Sequence, residues 1–318
     1  MPQSSSALAV RSATAPASVR QLVSVVVPTF NAALTVRRAL ASVRAQTHFE
    51  WEAICVDDAS TDDTVARIAM LDDPRIRIIR LDRNGGPGRA RNLGIAAARG
   101  GLVAFLDADD EWLPDKLARQ VALFEADAGL ALAVTDMRVK TVDGRDGSSV
   151  YTRQPPVSGA EAWKTLLASS FIATSAVMTR RALLDEIGGF DPDLVTGEDQ
   201  DLFIRLAMAG RVYAAPDALA VYHWMPRSYS TGHAARQATD VIAMVRRHFE
   251  RLGDRLSPAE RRAILARRFE RLGTNLIDCG APFRGAWLMM RAAALGRAPL
   301  RILVAIARRL LPGAGRQR

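Results

Sequence analysis

Short apolar runs alternate with amphipathic stretches four times within about 100 residues. That alternation limits the possible folds of this chain more than any other feature. Val23–Phe30 (VSVVVPTF) is a β-branched run stopped by Pro28 and reads as a buried strand. Residues 34–46 carry apolar positions at helical spacing. Glu52–Asp58 (EAICVDD) is a second strand, a helix follows from about Thr64 to Leu71, and Arg75–Arg80 is a third strand. The turn Asn84–Gly88 (NGGPG) opens a helix to about Arg99. Leu102–Asp107 is the fourth strand, and Pro114 is well placed to start the next helix. Such βαβ units wind right-handed into a parallel sheet with helices on both faces. Ligands of such sheets bind outside the carboxyl ends of the strands. Here those ends are Pro28-Thr29-Phe30-Asn31, Asp57-Asp58 and Asp107-Ala108-Asp109.

Beyond residue 130 the order loosens. Residues 131–144 read as a strand and hairpin, and 171–183 as a strand entering a helix. Residues 188–210 form a turn-rich loop entering a helix near Asp199, and 211–216 and 220–224 are two short strands. Helical segments are expected near 234–251, 257–273, 281–296 and 299–311, and there is no internal repeat.

Each acidic cluster has a functional and a structural reading. Asp107 and Asp109, two apart at a strand end, can face one cation. Mg²⁺ or Mn²⁺ suits such oxygens, taking one or two carboxylates plus substrate phosphates and water. The competing reading is an acidic turn, with Asp110 and Glu111 favouring the N-terminus of the following helix; the DxD spacing also arises often by chance. Asp58 can accept hydrogen bonds from a nucleobase imide or a ribose hydroxyl, whereas Ser60, Thr61 and Asp62 are good helix caps. The glycine-rich turn matches neither common phosphate-loop pattern, and its Arg89 and Arg91 either balance a diphosphate or are solvated. Among Glu198, Asp199 and Asp201, one carboxylate aimed into a cleft serves as general base, or all three enrich a helix N-terminus.

Taken in order, VSVVVPTFN, VDDASTDDT, residues 84–117 (NGGPGRARN…PDKL) and residues 175–207 (SAVMTRRAL…FIRLA) resemble the family 2 glycosyltransferases of the GT-A fold, over roughly residues 22–230. The resemblance implies an α/β, Rossmann-like, mostly parallel sheet flanked by helices with a C-terminal helical extension. Composition and periodicity add a disordered leader (1–20) before the catalytic domain (21–230) and a basic helical region (231–318) after it. The resemblance places Pro28, Phe30 and Asp58 at the nucleotide base, Arg91 near the nucleotide, Asp107 at the ribose and metal, and Asp109 on the metal. Asp199 is the catalytic base, Glu198 shares that role or binds the acceptor, and Asp191 shapes the loop beside the donor. The implied reaction moves one sugar, with inversion and a divalent metal (Mn²⁺ or Mg²⁺), from a nucleoside-diphosphate sugar to a hydroxyl of a growing polysaccharide or lipid-linked glycan. One departure is Met225, which stands where the family often carries a metal-binding histidine. His223, two residues earlier, suits packing better than ligation. The Gln-x-x-Arg-Trp motif of processive members is absent. Two rivals remain: a non-catalytic sugar-nucleotide or membrane-surface scaffold on the same fold, and a nucleotidyltransferase, which calls for a phosphate-gripping loop that PTFN does not supply.

The net charge of +9 is uneven. From Arg246 onward 17 arginines face 5 acids, whereas the first 245 residues carry 26 basic and 29 acidic groups. This points to a local partner surface near the C-terminus. Ala286–Pro312 suits either a membrane interface with anionic lipid or an amphipathic cap on the catalytic domain. No nucleic-acid motif is present, which argues against nucleic acid. Cys55 and Cys279 form no disulfide or zinc pattern and fit a reducing compartment. Residues 1–20 lack the apolar core of a signal peptide, and no uncharged run reaches the roughly 18–20 residues of a membrane span. The expected location is the cytoplasm, peripheral at the inner face of the plasma membrane if the tail meets lipid. Acceptor choice is expected in residues 136–175 and the helical tail.

Overall fold

The structure, a computed structural model, describes residues 21–141, 144–224 and 232–310. The expected leader and Met225 lie outside the described residues. Strands β1 (Val23–Thr29), β2 (Trp51–Asp57), β3 (Ile76–Arg80) and β4 (Leu102–Phe105) pair in parallel in the order β3-β2-β1-β4. They are linked by α1 (Val36–Arg44), α2 (Thr64–Ala69) and α3 (Pro87–Ala97). The three inner strands are buried almost throughout, which is why they read as unbroken apolar runs; the edge strand β3 is only half-buried.

The sheet continues through β7 (Val177–Arg180), β6 (Leu130–Lys140), β8 (Arg211–His223) and β5 (Glu111–Trp112) to eight strands. Here it is mixed. β7 runs antiparallel to both β4 and β6, β8 is parallel to β6, and β5 is antiparallel to β8. No βαβ unit joins β4 to β7, so nothing forces them parallel. The two short strands expected at 211–216 and 220–224 are one strand. Its register slips from Thr135↔Ala215 to Asp136↔Ala218, so a bulge carries Pro216 and Asp217, both exposed, out of the ladder. Proline lacks the N–H a ladder needs, and the bulge removes that demand.

Pro28 plays a different part in β1. The Val26 carbonyl accepts from Leu106 N–H at 3.1 Å. The next donation toward β4 falls to residue 28, which has no N–H to give. The ladder stops there, and β4 turns away into the Asp107–Asp110 segment.

Helices α4 (Lys116–Ala126), α5 (Val150–Arg153), α6 (Ala162–Ala168), α7 (Arg181–Ile187) and α8 (Glu198–Ala209) flank the sheet. α4 starts two residues after Pro114, because Glu111 and Trp112 are taken by β5. The C-terminal helices are α9 (Ala234–Leu252), α10 (Pro258–Asp278), α11 (Pro282–Ala294) and α12 (Pro299–Leu310). A capping box between Ser257 and Glu260 opens α10. That helix passes through Gly273, where the sequence suggested an end. A β-carbon on Gly273 would lie 2.6 Å from the Gly285 carbonyl oxygen, so this glycine permits a close crossing with α11. The apolar core runs without a break from the sheet into α9, α10 and α11.

Candidate active site

The carboxyl ends of β1, β2 and β4 meet as expected, and the loops leaving them are laced together. Ser60 Oγ accepts from Asn31 N–H (2.9 Å), Asn31 Oδ1 accepts from Thr61 N–H (2.9 Å), and Thr64 Oγ1 accepts from Ala32 N–H (2.7 Å). Ser60, Thr61 and Asp62 thus tie one loop to the next, Asp62 accepting from Ala33 N–H (3.1 Å) as well as from Thr64 N–H at the start of α2, whose N-cap position is Asp63. Asn31 takes a φ of 49°, a left-handed turn that asparagine tolerates well. Phe30 stands half exposed beside it, and Pro28 is partly buried below. Asp58 is buried, and its two oxygens accept the Gly85 and Gly86 N–H groups, each at 2.8 Å. The glycine-rich turn is therefore held by a carboxylate. Gly86, with φ 85°, gives the turn its shape.

Arg91 is the centre of the site. It is buried in α3, donating to Asp107 Oδ1 at 2.8 Å and to Glu198 Oε1 at 3.1 Å, with its guanidinium 5.3 Å from the Phe190 ring centre. Burial opposes its charge, but Asp107 and Glu198 more than offset this and keep it protonated. Arg89, by contrast, is exposed. Asp107, Asp109, Asp110, Glu198 and Asp199 gather about this one buried cation, with Arg38 at the margin. Burial and the nearby Asp107 push Asp109 up to about 6. Burial, Asp107 and Asp109 raise Asp110 well above the carboxylate range. Burial and Asp199 raise Glu198 against the pull of Arg91, and burial raises Asp199 in the same way. Among the described residues, the site holds more carboxylates than basic groups to neutralise them.

Asp110 and Glu111 are not helix-capping acids. Asp110 is buried and accepts from Ser175 Oγ at 2.5 Å, while the same Ser175 Oγ accepts from Asp107 N–H at 3.0 Å. Glu111 lies 2.5 Å from His223 Nε2 and 3.6 Å from Arg38 Nε. The His223 ring is thus hydrogen-bonded to a side chain. Arg38 also donates to the Asp109 carbonyl at 2.6 Å, whereas no side chain among the described residues hydrogen-bonds the Asp109 carboxylate. These partners gave no sequence signal, because each lies far along the chain from the residue it holds.

A second set of bonds fixes the Glu-Asp loop. Asn92 grips the Phe190 backbone through both N–H and C=O, at 2.8 Å each. Asp201 is bonded by His248 (2.9 Å) and Arg205 (2.7 Å). Burial raises its pKa, but these two partners outweigh burial and hold it below the usual range. Asp191 is paired with Arg247 of α9 at 3.2 Å. Asp199 stays half-buried at the start of α8, its carboxylate accepting from backbone N–H groups (Gln200, 2.7 Å) and, among the described residues, from no side chain.

Among the described residues, no group of three or more His, Cys, Asp and Glu side chains converges as a metal cage. Mg²⁺ and Mn²⁺ sites completed by substrate phosphates and water need no such cage. The hard oxygens of Asp107 and Asp109, the open Asp109 carboxylate and the unneutralised negative charge fit such an ion.

An α/β sheet of this order, with acids gathered at the strand ends, is a GT-A type architecture. The protein of S. aureus called TarS (residues 1–349) superposes with a TM-score of 0.60 at 22% identity, covering 90% of this chain and 89% of that one. A mannosyltransferase of Pyrobaculum calidifontis, solved with GDP-Man and Mn²⁺, superposes with a TM-score of 0.59 at 21% identity, covering 91% and 81%. The sequence model of glycosyl transferase family 2 matches residues 24–188, and the chain belongs to that family. It is 40% identical over 210 residues (63% of this chain) to the succinoglycan biosynthesis protein ExoO of Rhizobium meliloti (strain 1021), of which the match spans 60%. It is 31% identical over 236 residues to the putative teichuronic acid biosynthesis glycosyltransferase TuaG of Bacillus subtilis (strain 168), covering 72% of this chain and 91% of that one. A shorter match, 36% over 102 residues (32% of this chain, 40% of the relative), is to the UDP-Glc:alpha-D-GlcNAc-diphosphoundecaprenol beta-1,3-glucosyltransferase WfgD of Escherichia coli.

Proposed function

We propose that this protein transfers one sugar, with inversion, from a nucleoside-diphosphate sugar to a hydroxyl of a lipid-linked or growing glycan in polysaccharide assembly. The observation that carries this reading is the excess of carboxylates around Arg91 at the strand ends where such sheets bind ligands. Phe30, Pro28 and Asp58 lie at the nucleotide-base end. Asp58 already accepts two N–H groups, yet a carboxylate has about four lone-pair sites and keeps room for an imide or a hydroxyl. Asp107 and Asp109 would hold Mg²⁺ or Mn²⁺, which when bound neutralises charge on the departing nucleoside diphosphate. Arg91 fixes Asp107 relative to Glu198, joining the donor end of the site to the acceptor end. Asp191, held by Arg247, shapes the loop between them.

Asp199 takes the proton from the acceptor hydroxyl. That oxygen then bonds to the anomeric carbon as the carbon–oxygen bond to the diphosphate breaks on the opposite face. Burial raises the Asp199 pKa above the ordinary aspartate value, which makes it a stronger base, and Glu198 beside it orients the acceptor. The acceptor class is supported by the name of the E. coli relative, which specifies a diphosphoundecaprenol-linked sugar. No helix among the described residues is long and apolar enough to cross a membrane. Exposed Phe283 and Trp287 on α11 and Leu300 and Leu303 on α12 support a peripheral site at the inner membrane face, where lipid-linked acceptors lie.

Calorimetric titration with UDP, GDP, CDP and dTDP, each with and without Mn²⁺ or Mg²⁺, tests the donor reading. One nucleotide is expected to bind only with metal and to lose that binding in Asp109→Asn. Metal-independent binding, or binding equal in Asp109→Asn, sinks the assignment and favours a non-catalytic scaffold.

A further inference from the structure

Beside Asp199, on the side where α6 meets α9 and α10, lies a cavity of about 290 Å³ lined by Ser170, Gln200, Gln237, Arg268, Arg271, Leu272 and Asn275. Its volume is several times the roughly 30 Å³ share of one water. Among the described residues, no carboxylate lines it. Arg268 is 4% exposed and donates to the carbonyls of Leu166 and Leu167 (2.6 Å to Leu167) at the end of α6, and to Gln200 Oε1 at 2.7 Å. Those bonds use three of its five N–H groups and leave donors over. Among the described residues, no acid lies within ion-pair distance of Arg268, although buried guanidiniums are nearly always paired. Burial and the repulsion of Arg271 bring its pKa down to about 9, with Asp199 opposing. Arg271, one turn further along α10, likewise has no ion pair among the described residues, and burial and Arg267 lower its pKa. With Gln200 bonded through its oxygen and Gln237 accepting from Asn275 at 3.4 Å, their amide N–H groups complete a lining rich in donors.

Two guanidiniums a turn apart, amide donors and no acid make a site for a phosphate-type anion and exclude a cation. We propose that this cavity binds the phosphate or diphosphate of the acceptor, setting its sugar hydroxyl against Asp199; the inference rests on the reading of the site as a sugar transferase. The anion completes the charge balance that α10 lacks by itself, and Gln200 ties its position to the candidate base through the adjacent residue.

The test is calorimetric binding of inorganic pyrophosphate and of geranyl diphosphate in EDTA, which removes any metal-dependent site. The full chain and Arg271→Ala are compared, with thermal melting as the check on folding. Arg271 is the variant of choice because its side chain is partly open to solvent and, among the described residues, holds no helix end, whereas Arg268 holds the end of α6. Both probes are expected to bind, and Arg271→Ala to weaken them about tenfold or more, as loss of a charged hydrogen bond does. Gln237→Leu provides a second variant with the same expectation. No binding, or binding unchanged in both variants, overturns the proposal. So does a third arm in which phosphatidylglycerol vesicles depend on Arg271 while geranyl diphosphate does not bind, since the cavity then takes a lipid headgroup. Pyrophosphate bound without metal, in a protein that binds no nucleotide with metal, sinks the donor reading and leaves this site standing. The reverse result sinks this site alone.

Discussion

Arg91 and Asp199 are separated along the chain and joined in one electrostatic unit. Arg91 is bonded to Asp107 and Glu198, and its charge opposes the rise that burial imposes on Asp199. Among the described residues, no other side chain bonds the Asp199 carboxylate, which accepts from backbone N–H groups alone. Asp199→Asn is expected to lower kcat by about 10²–10⁴, the usual contribution of general-base catalysis, while nucleotide affinity in the calorimeter persists. A loss of nucleotide affinity equal to the loss of rate would place Asp199 at the donor instead. Lys116 presents the opposite case. It is fully buried, its Nζ 2.7 Å from Gln120 Oε1 and 4.2 Å from the Trp112 ring centre, and burial lowers its pKa well below the ordinary lysine value. A lysine depressed on folding binds fewer protons folded than unfolded, so stability rises with pH from the folded pKa up to the unfolded one, near 10.5. Lys116→Met removes that rise. At high pH, where the wild-type lysine is neutral in both states, the variant is less stable by the orphaned Gln120 carbonyl, about 1–3 kcal/mol. Denaturant melts from neutral pH to about pH 10 measure the slope and melts above about pH 11 the residual loss; an unchanged pH slope refutes the assignment.

Elements here are placed by single contacts that override local preference. Gly273 looks like a helix end in sequence, yet α10 runs on to Asp278 because this glycine faces Gly285 of α11. Alanine in a helix interior is worth about 1 kcal/mol over glycine. Here a β-carbon meets the Gly285 carbonyl oxygen at 2.6 Å and Met289 Cγ at 2.7 Å. Overpacking costs about 1–3 kcal/mol, so crowding wins. Gly273→Ala is expected to lower Tm, with a net loss of up to about 2 kcal/mol; a raised Tm refutes the close crossing. In the same way β8 survives Pro216 through a bulge, and β4 is released toward the site by the missing N–H of Pro28.

Over the whole molecule, charge and apolar exposure coincide. The segment from Arg246 onward carries 17 arginines against 5 acids, and its last two helices leave Phe283, Trp287, Met290, Leu300, Leu303 and Val304 exposed. Ile302 and an ion pair from Arg309 to Asp278 dock α12 onto the body, so this face looks outward from a fixed position. Co-sedimentation with phosphatidylglycerol vesicles is expected, to weaken with salt, and to fall in Trp287→Glu; equal binding to neutral vesicles would remove the electrostatic part. The sequence by itself determined the parallel half of the sheet, the strand ends that form the site, the acids gathered there, and the helical character of the C-terminal region. Those features are written in local periodicity and in motif order, which need no knowledge of distant neighbours. Only the tertiary structure decided that β7 enters antiparallel, and that Asp110 and Asp201 are bonded into the scaffold while Asp109 and Asp199 remain open. It also decided that Arg91 is an internal counter-ion, and that α9 and α10 supply Arg247, His248 and Arg268 to the Glu-Asp loop and its surroundings. Each of those outcomes depends on which partner lies within hydrogen-bond reach after packing, and residues up to about a hundred apart in sequence leave no local trace of one another.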